Sequence, residues 1–219
     1  MKKIKNLIPK YAYLPLSVTV VLNFLAYYGT RPLSRGWYHY DLSLPLDELI
    51  PFVPAAISVY VFAFVTWVVG YIVITREEES LCCRILTAEQ IAKLVCVLCF
   101  LALPTIMERP EITGNDLFSR FTAFIYAADT PDNLFPSVHC LENWILFRGA
   151  LRCKRVGRGY KVFMGVAAIA VFLSTLLVKQ HLILDVVSAV VLVEVALWVA
   201  GRLKAERLYT RLNRRLGLA

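Results

Sequence analysis

The sequence predicts an all-α fold, a polytopic membrane protein whose six transmembrane helices form a single domain over residues 1–219. Three observations carry that prediction. The 219 residues are 58% hydrophobic with a mean hydropathy of +0.62, well above the roughly half-apolar composition of soluble domains. Apolar runs recur at about 18–25 residues, the length a helix needs to cross roughly 30 Å of hydrocarbon. The segments between them are too short to hold a separate soluble module.

The first run, about 11–29, follows Lys2, Lys3, Lys5 and Lys10 as a signal peptide would. It continues through aromatic residues without a small-residue cleavage site, so a retained helix is expected. The second, 52–74, opens on Asp47, Pro51 and Pro54. These suit a helix start, and a part in head-group selection is the alternative. The third, 88–107, carries Cys96 and Cys99; with no second ligand pair at zinc-site spacing, core packing is the expectation for both. The six cysteines lie in or beside apolar runs, which argues against a disulfide framework.

The fourth run, 135–151, is short, and Ser137, His139, Glu142 and Asn143 crowd its first half. Polar side chains at membrane depth are tolerated only where they face protein or water, so this segment is expected to line a cavity. Glu142 and Asn143, a turn after His139, would support it from behind. The fifth and sixth runs, 160–178 and 181–201, are separated by a tight turn, and Glu194 in the sixth is expected to pair with a nearby Lys or Arg.

Basic residues set the orientation. The N-terminus, the loop with Arg148, Arg152, Lys154, Arg155, Arg158 and Lys161, and the tail from Arg202 to Arg215 are predicted cytoplasmic. The net charge of +8 is thereby explained by topology and contact with anionic lipid, without a nucleic-acid partner. The integral protein is expected in the cell membrane. On the extracytoplasmic face fall Arg31 with the aromatic cluster Trp37, Tyr38, His39 and Tyr40, expected as an interfacial belt with His39 at the surface, and the segments 108–134 and 179–181.

That face collects the chemistry. Asp185 lies four residues after His181, one helical turn away, where it can accept a hydrogen bond from one ring nitrogen and leave the other free as base or nucleophile. A buried structural pair is the plainer reading, and metal ligation would need third and fourth ligands that the sequence does not offer. Ser137 and His139 begin the fourth helix, where first-turn amides and the helix dipole favour an anion. Arg109 and Lys179 add cations. Together these groups suit a tetrahedral phosphate between two imidazoles.

Phe135-Pro136-Ser137-Val138-His139 resembles the Pro-Ser-x-His motif of the type 2 phosphatidic acid phosphatase superfamily. The stretch from Ser174 to Asp185 resembles its Ser-Arg-x5-His-x3-Asp motif, with Thr175 in place of Arg. Of the Lys-x6-Arg-Pro motif only Arg109-Pro110 is present, with Ala102 in place of Lys. The resemblance covers roughly residues 93–200, with the catalytic motifs within 109–185. It implies that His181 attacks phosphorus, Asp185 orients it and His139 protonates the leaving alcohol. No metal ion or other cofactor is implied. Ser137, Ser174, Thr175, Arg109 and Lys179 would hold the phosphate, Lys179 compensating for the missing cations.

The segment from Lys179 to Val186, together with Asp47-x3-Pro51-Phe52-x-Pro54, also resembles sphingomyelin and inositol phosphorylceramide synthases. Hydrolysis of a lipid-linked phosphate is the first expectation, transfer of a phospho-head group to an alcohol the second, and a non-catalytic membrane protein the third. The partners expected are a lipid phosphate and membrane lipids.

Overall fold

A computed structural model describes residues 7–218; Lys2, Lys3 and Lys5 of the basic N-terminus lie outside them. The described residues are mostly helical: α1 (Tyr13–Phe24), α2 (Arg31–Ser34), α3 (Pro45–Glu48), α4 (Ile57–Thr75), α5 (Glu79–Ala102), α6 (Leu117–Ala128), α7 (Val138–Arg152), α8 (Arg158–Leu177), α9 (Ile183–Arg202) and α10 (Glu206–Arg215). Strands β1 (Tyr40–Asp41) and β2 (Thr105–Ile106) pair in parallel between two loops. Five helical stretches are long and apolar enough to cross a membrane: Lys10–Ser34, Pro54–Thr75, Glu79–Ala102, Arg158–Leu177 and Ile183–Arg202. The all-α expectation holds, with five candidate spans rather than six by length and hydropathy.

The difference is α7. Its 15 residues reach about 22 Å at 1.5 Å per residue. It packs against α4, α5, α8 and α9, and His139, Cys140, Leu141, Glu142 and Asn143 are all buried. Because protein surrounds α7, its polar groups meet partners rather than lipid. Glycines permit the close approach: a Cβ on Gly149 would stand 2.5 Å from Ile74 Cδ1, and one on Gly70 3.0 Å from Leu146 Cδ1, the small-residue contact that membrane helices favour.

The third apolar run was expected at 88–107, but α5 begins nine residues earlier and ends at Ala102. Its early charges are paired, Arg84 with Glu206 at 3.1 Å and Glu79 with Asn213 Nδ2 at 3.0 Å, so they do not prevent helix. Pro104 ends it, having no amide proton and disfavouring helix in the residue before. Deeper in α5, Lys93 Nζ lies 2.8 Å from Glu89 Oε1 and 2.5 Å from Glu142 Oε1, and Tyr71 bridges both carboxylates. This neutralising cluster ties α4, α5 and α7 together.

Loop contacts sort the helix ends into two groups. At one end, Tyr11 Oη donates to the carbonyls of Thr75 and Glu77, Glu77 accepts the Lys154 amide at 3.0 Å, and Asn213 Nδ2 donates to Tyr11 O at 2.9 Å. The tail is folded there as α10. At the other end, Val53 N–H donates to Leu177 O at 2.9 Å and Ile183 N–H to Asp47 Oδ1 at 2.8 Å. Within the long segment 108–134, read from its turn formers as loop, α6 forms behind Asp116, whose carboxylate caps the amides of Phe118 and Ser119.

Candidate active site

The starts of α7 and α9 meet at the second end of the bundle. Ser137 N–H donates to Asp185 O at 3.1 Å, and the Ser137 hydroxyl oxygen caps α7 by accepting the Cys140 amide at 3.2 Å. The hydroxyl proton remains available to a ligand. These contacts bring His139 and His181, 42 residues apart in the chain, to a ring-centroid separation of 5.9 Å. Both are 8% exposed and both line a small cavity of about 20 Å³.

His181 Nδ1 lies 3.3 Å from Asp185 Oδ2, as the spacing predicts, but by a different route. His181 stands before α9 rather than on it. Asp185 occupies the third position of that helix, and its carboxylate turns back to accept the Leu182 amide at 2.8 Å, the acid half of a capping box. One carboxylate therefore starts the helix and orients the ring. His139 sits against aromatic rings, Tyr60 at 4.5 Å, Trp67 at 5.4 Å and Phe64 at 5.9 Å between centroids. Its carbonyl accepts from Asn143 Nδ2 at 2.8 Å, the support expected of Asn143. Glu142 faces away, into the Lys93 cluster.

The expected phosphate cradle is brought together in part. Arg109 donates from Nη1 to Asp129 O and from Nη2 to Gln180 Oε1, each at 2.5 Å, and lies 4.5 Å over the Tyr126 ring. Burial pulls its guanidinium below the ordinary arginine pKa, against the opposing charge of Asp129, so it gains from a bound anion. Lys179 reaches the outer side of His181, where Nζ donates to Asp47 O at 2.8 Å. Ser174 and Thr175 are buried, and their hydroxyls donate to Val171 O and Phe172 O at 2.8 Å. What Thr175 supplies to the site is its carbonyl, which accepts the Gln180 and His181 amides at 2.9 and 3.3 Å.

Two larger cavities reach the histidines, one at each ring. One, of 290 Å³, lies beside His139 between α1 and α4 and is walled by Phe24, Tyr27, Tyr60, Phe64 and Trp67. The other, of 310 Å³, lies beside His181 and is walled by Asp41 of β1, Asp47 and Glu48 of α3, Glu108 and Lys179. Asp47, read as a cap for the second span, instead accepts the amides of Leu44 and Ile183, fastening α3 to the start of α9.

Three residues near the histidines were not singled out as site residues. Arg31, read as part of an interfacial belt, pairs with Asp129 at 2.7 Å and Asp132 at 2.8 Å. Asp129 and Gln180 both line the cavity between the imidazoles. No periodicity marks them, because their partners lie 71 to 101 residues away in the chain. Trp37, Tyr38 and Tyr40 are exposed, as expected of a belt, and His39 is at the surface. Comparison with protein-family models, with curated proteins and with solved structures returned no match.

Proposed function

We propose that this chain is a metal-independent membrane phosphatase that hydrolyses a lipid-linked phosphate monoester or pyrophosphate through a phosphohistidine on His181. The observation that carries it is the pairing of two buried imidazoles across one cavity, 5.9 Å apart, with one of them held by Asp185. With Nδ1–H directed to Asp185, His181 Nε2 attacks phosphorus. The P–O bond to the alcohol breaks, and protonated His139 gives the departing oxygen its proton. Neutral His139 then takes a proton from water as the water attacks the phosphohistidine; the P–N bond breaks and phosphate leaves. Arg109, Ser137, Lys179 and the first-turn amides of α7 neutralise the developing charge, which is the main requirement of phosphoryl transfer.

In this reading α7 is the sixth pass of one integral domain. The N- and C-termini are cytoplasmic and the histidines lie at the extracytoplasmic face of the cell membrane, as the basic residues at the α10 end favour. The aromatic cavity between α1 and α4 takes the start of the lipid chain, and the cavity beside His181 admits water. That second cavity also supports a second reading, in which an alcohol acceptor replaces water and the product is a new phospholipid.

The deciding experiment incubates purified protein in detergent with phosphatidic acid, a prenyl pyrophosphate and a sphingolipid phosphate, with and without an alcohol acceptor. Free phosphate and new phospholipid are both scored. Release of phosphate that His181→Ala and His139→Ala abolish is the expected result. A new phospholipid in its place establishes the transferase. Release unaffected by His181→Ala, or no product of either kind, overturns both. Complete inactivation by a chelator contradicts the metal-free step.

A further inference from the structure

We propose that the side-chain amide of Gln180 is a phosphate-binding group of this site, donating from Nε2 to an oxygen of the phosphate held between the two histidines. The inference rests on the phosphatase reading for its ligand, but its evidence is independent of the histidine chemistry. Gln180 is 1% exposed and lines the same cavity as His139 and His181. Its Oε1 accepts from Arg109 Nη2 at 2.5 Å. A guanidinium has donors only, so the amide must present oxygen to Arg109 and its NH2 elsewhere. Among the described residues Nε2 has no hydrogen-bond partner, and a buried amide donor left unmade is rare because it is costly.

The amide is also fixed in place before any ligand arrives. The Gln180 and His181 backbone amides converge on Thr175 O. Arg109 is itself anchored by Asp129 O and stacked on Tyr126, and Tyr126 Oη donates to Val178 O at 2.7 Å. A rigid donor beside two imidazoles needs an acceptor, and the non-bridging oxygens of a phosphate supply one. The requirement is sharpened by Asp129, which lines the same cavity. Its charge is paired with Arg31, so it does not take the Gln180 amide proton, and an oriented neutral donor adds to the cations that Arg109 and Lys179 supply.

Two variants separate this role from a structural one. Gln180→Glu keeps an oxygen for Arg109 but has no NH2; Gln180→Met removes both. The probe is inorganic phosphate, read as the concentration that raises the melting temperature of the full-length protein in detergent, and as its inhibition of phosphate release. Both variants are expected to need about ten- to a hundred-fold more phosphate, with the ligand-free melting temperature of Gln180→Glu at or above that of the wild type. If Gln180 serves only to position Arg109, Gln180→Met weakens phosphate binding no further once Arg109→Met is present, which overturns the proposal. So does a wild type that binds no phosphate. Failure of the phosphatase reading looks different: phosphate binding stays dependent on Gln180 while no lipid phosphate is turned over.

Discussion

Asp185 serves two neighbours at once, capping Leu182 and facing His181, and this makes its replacement informative. Asp185→Asn retains an oxygen for the cap but removes the charge that orients and stabilises the imidazole. We expect phosphate release to fall by roughly 10²–10⁴, the range a positioned acid–base group supplies, with a melting temperature close to that of the wild type; measuring kcat and unfolding on one preparation checks both. The His181–Asp185 contact was legible because it is local, four residues apart. The placement of His139 beside His181 was legible only as two helix ends assigned to one membrane face. Gln180, Arg31 and Asp129 were not legible at all. Their roles come from pairings across 71 to 101 residues, and a lone arginine, a loop aspartate and a turn glutamine carry no local signal that distinguishes them.

At the scale of elements, α7 and α5 carry the opposite lessons. The start of α7 was readable to within three residues: the run was drawn from 135 with Ser137 in its first turn, and Ser137 proves to be its cap, Oγ accepting the Cys140 amide. Ser137→Ala is expected to lower the unfolding free energy by about 1 kcal/mol and Ser137→Asp to recover most of it, as thermal unfolding in detergent would report. The start of α5 was misplaced because the apolar run leaves out Glu79 and Arg84, whose partners lie on α10; deeper in the helix, Lys93 pairs with Glu89 on α5 and Glu142 on α7. Those partners make Lys93→Met a severe change. It leaves two buried carboxylates without a counter-charge, at a cost of about 3–5 kcal/mol. Adding Glu89→Gln and Glu142→Gln should restore much of the loss, whereas no gain from the triple variant would mean the cluster is not the source. The α6 signal was present in Asp116 and the apolar positions Leu117, Phe118, Phe121 and Phe124, but flanking prolines, Asp and Asn made the segment resemble a loop.

For the whole molecule, the two groups of helix ends set up a topology test. With the native cysteines replaced, a cysteine at Ser43 should react with a membrane-impermeant maleimide on intact cells and one at Lys204 only after permeabilisation. The reverse pattern would invert the orientation and remove the extracytoplasmic reading of the site. The sequence by itself determined the all-α class with membrane-length apolar helices, the approximate runs and the pairing of His181 with Asp185. Those properties follow from composition, helical period and local spacing, all of which act within a few turns. Only the tertiary structure decided that α7 is enclosed by four helices, that the buried charges of α5 and α7 satisfy one another with Tyr71 of α4 between them, and that Arg109 orients the Gln180 amide. Each of these depends on polar groups finding partners across the bundle where lipid offers none, a condition met by three-dimensional proximity.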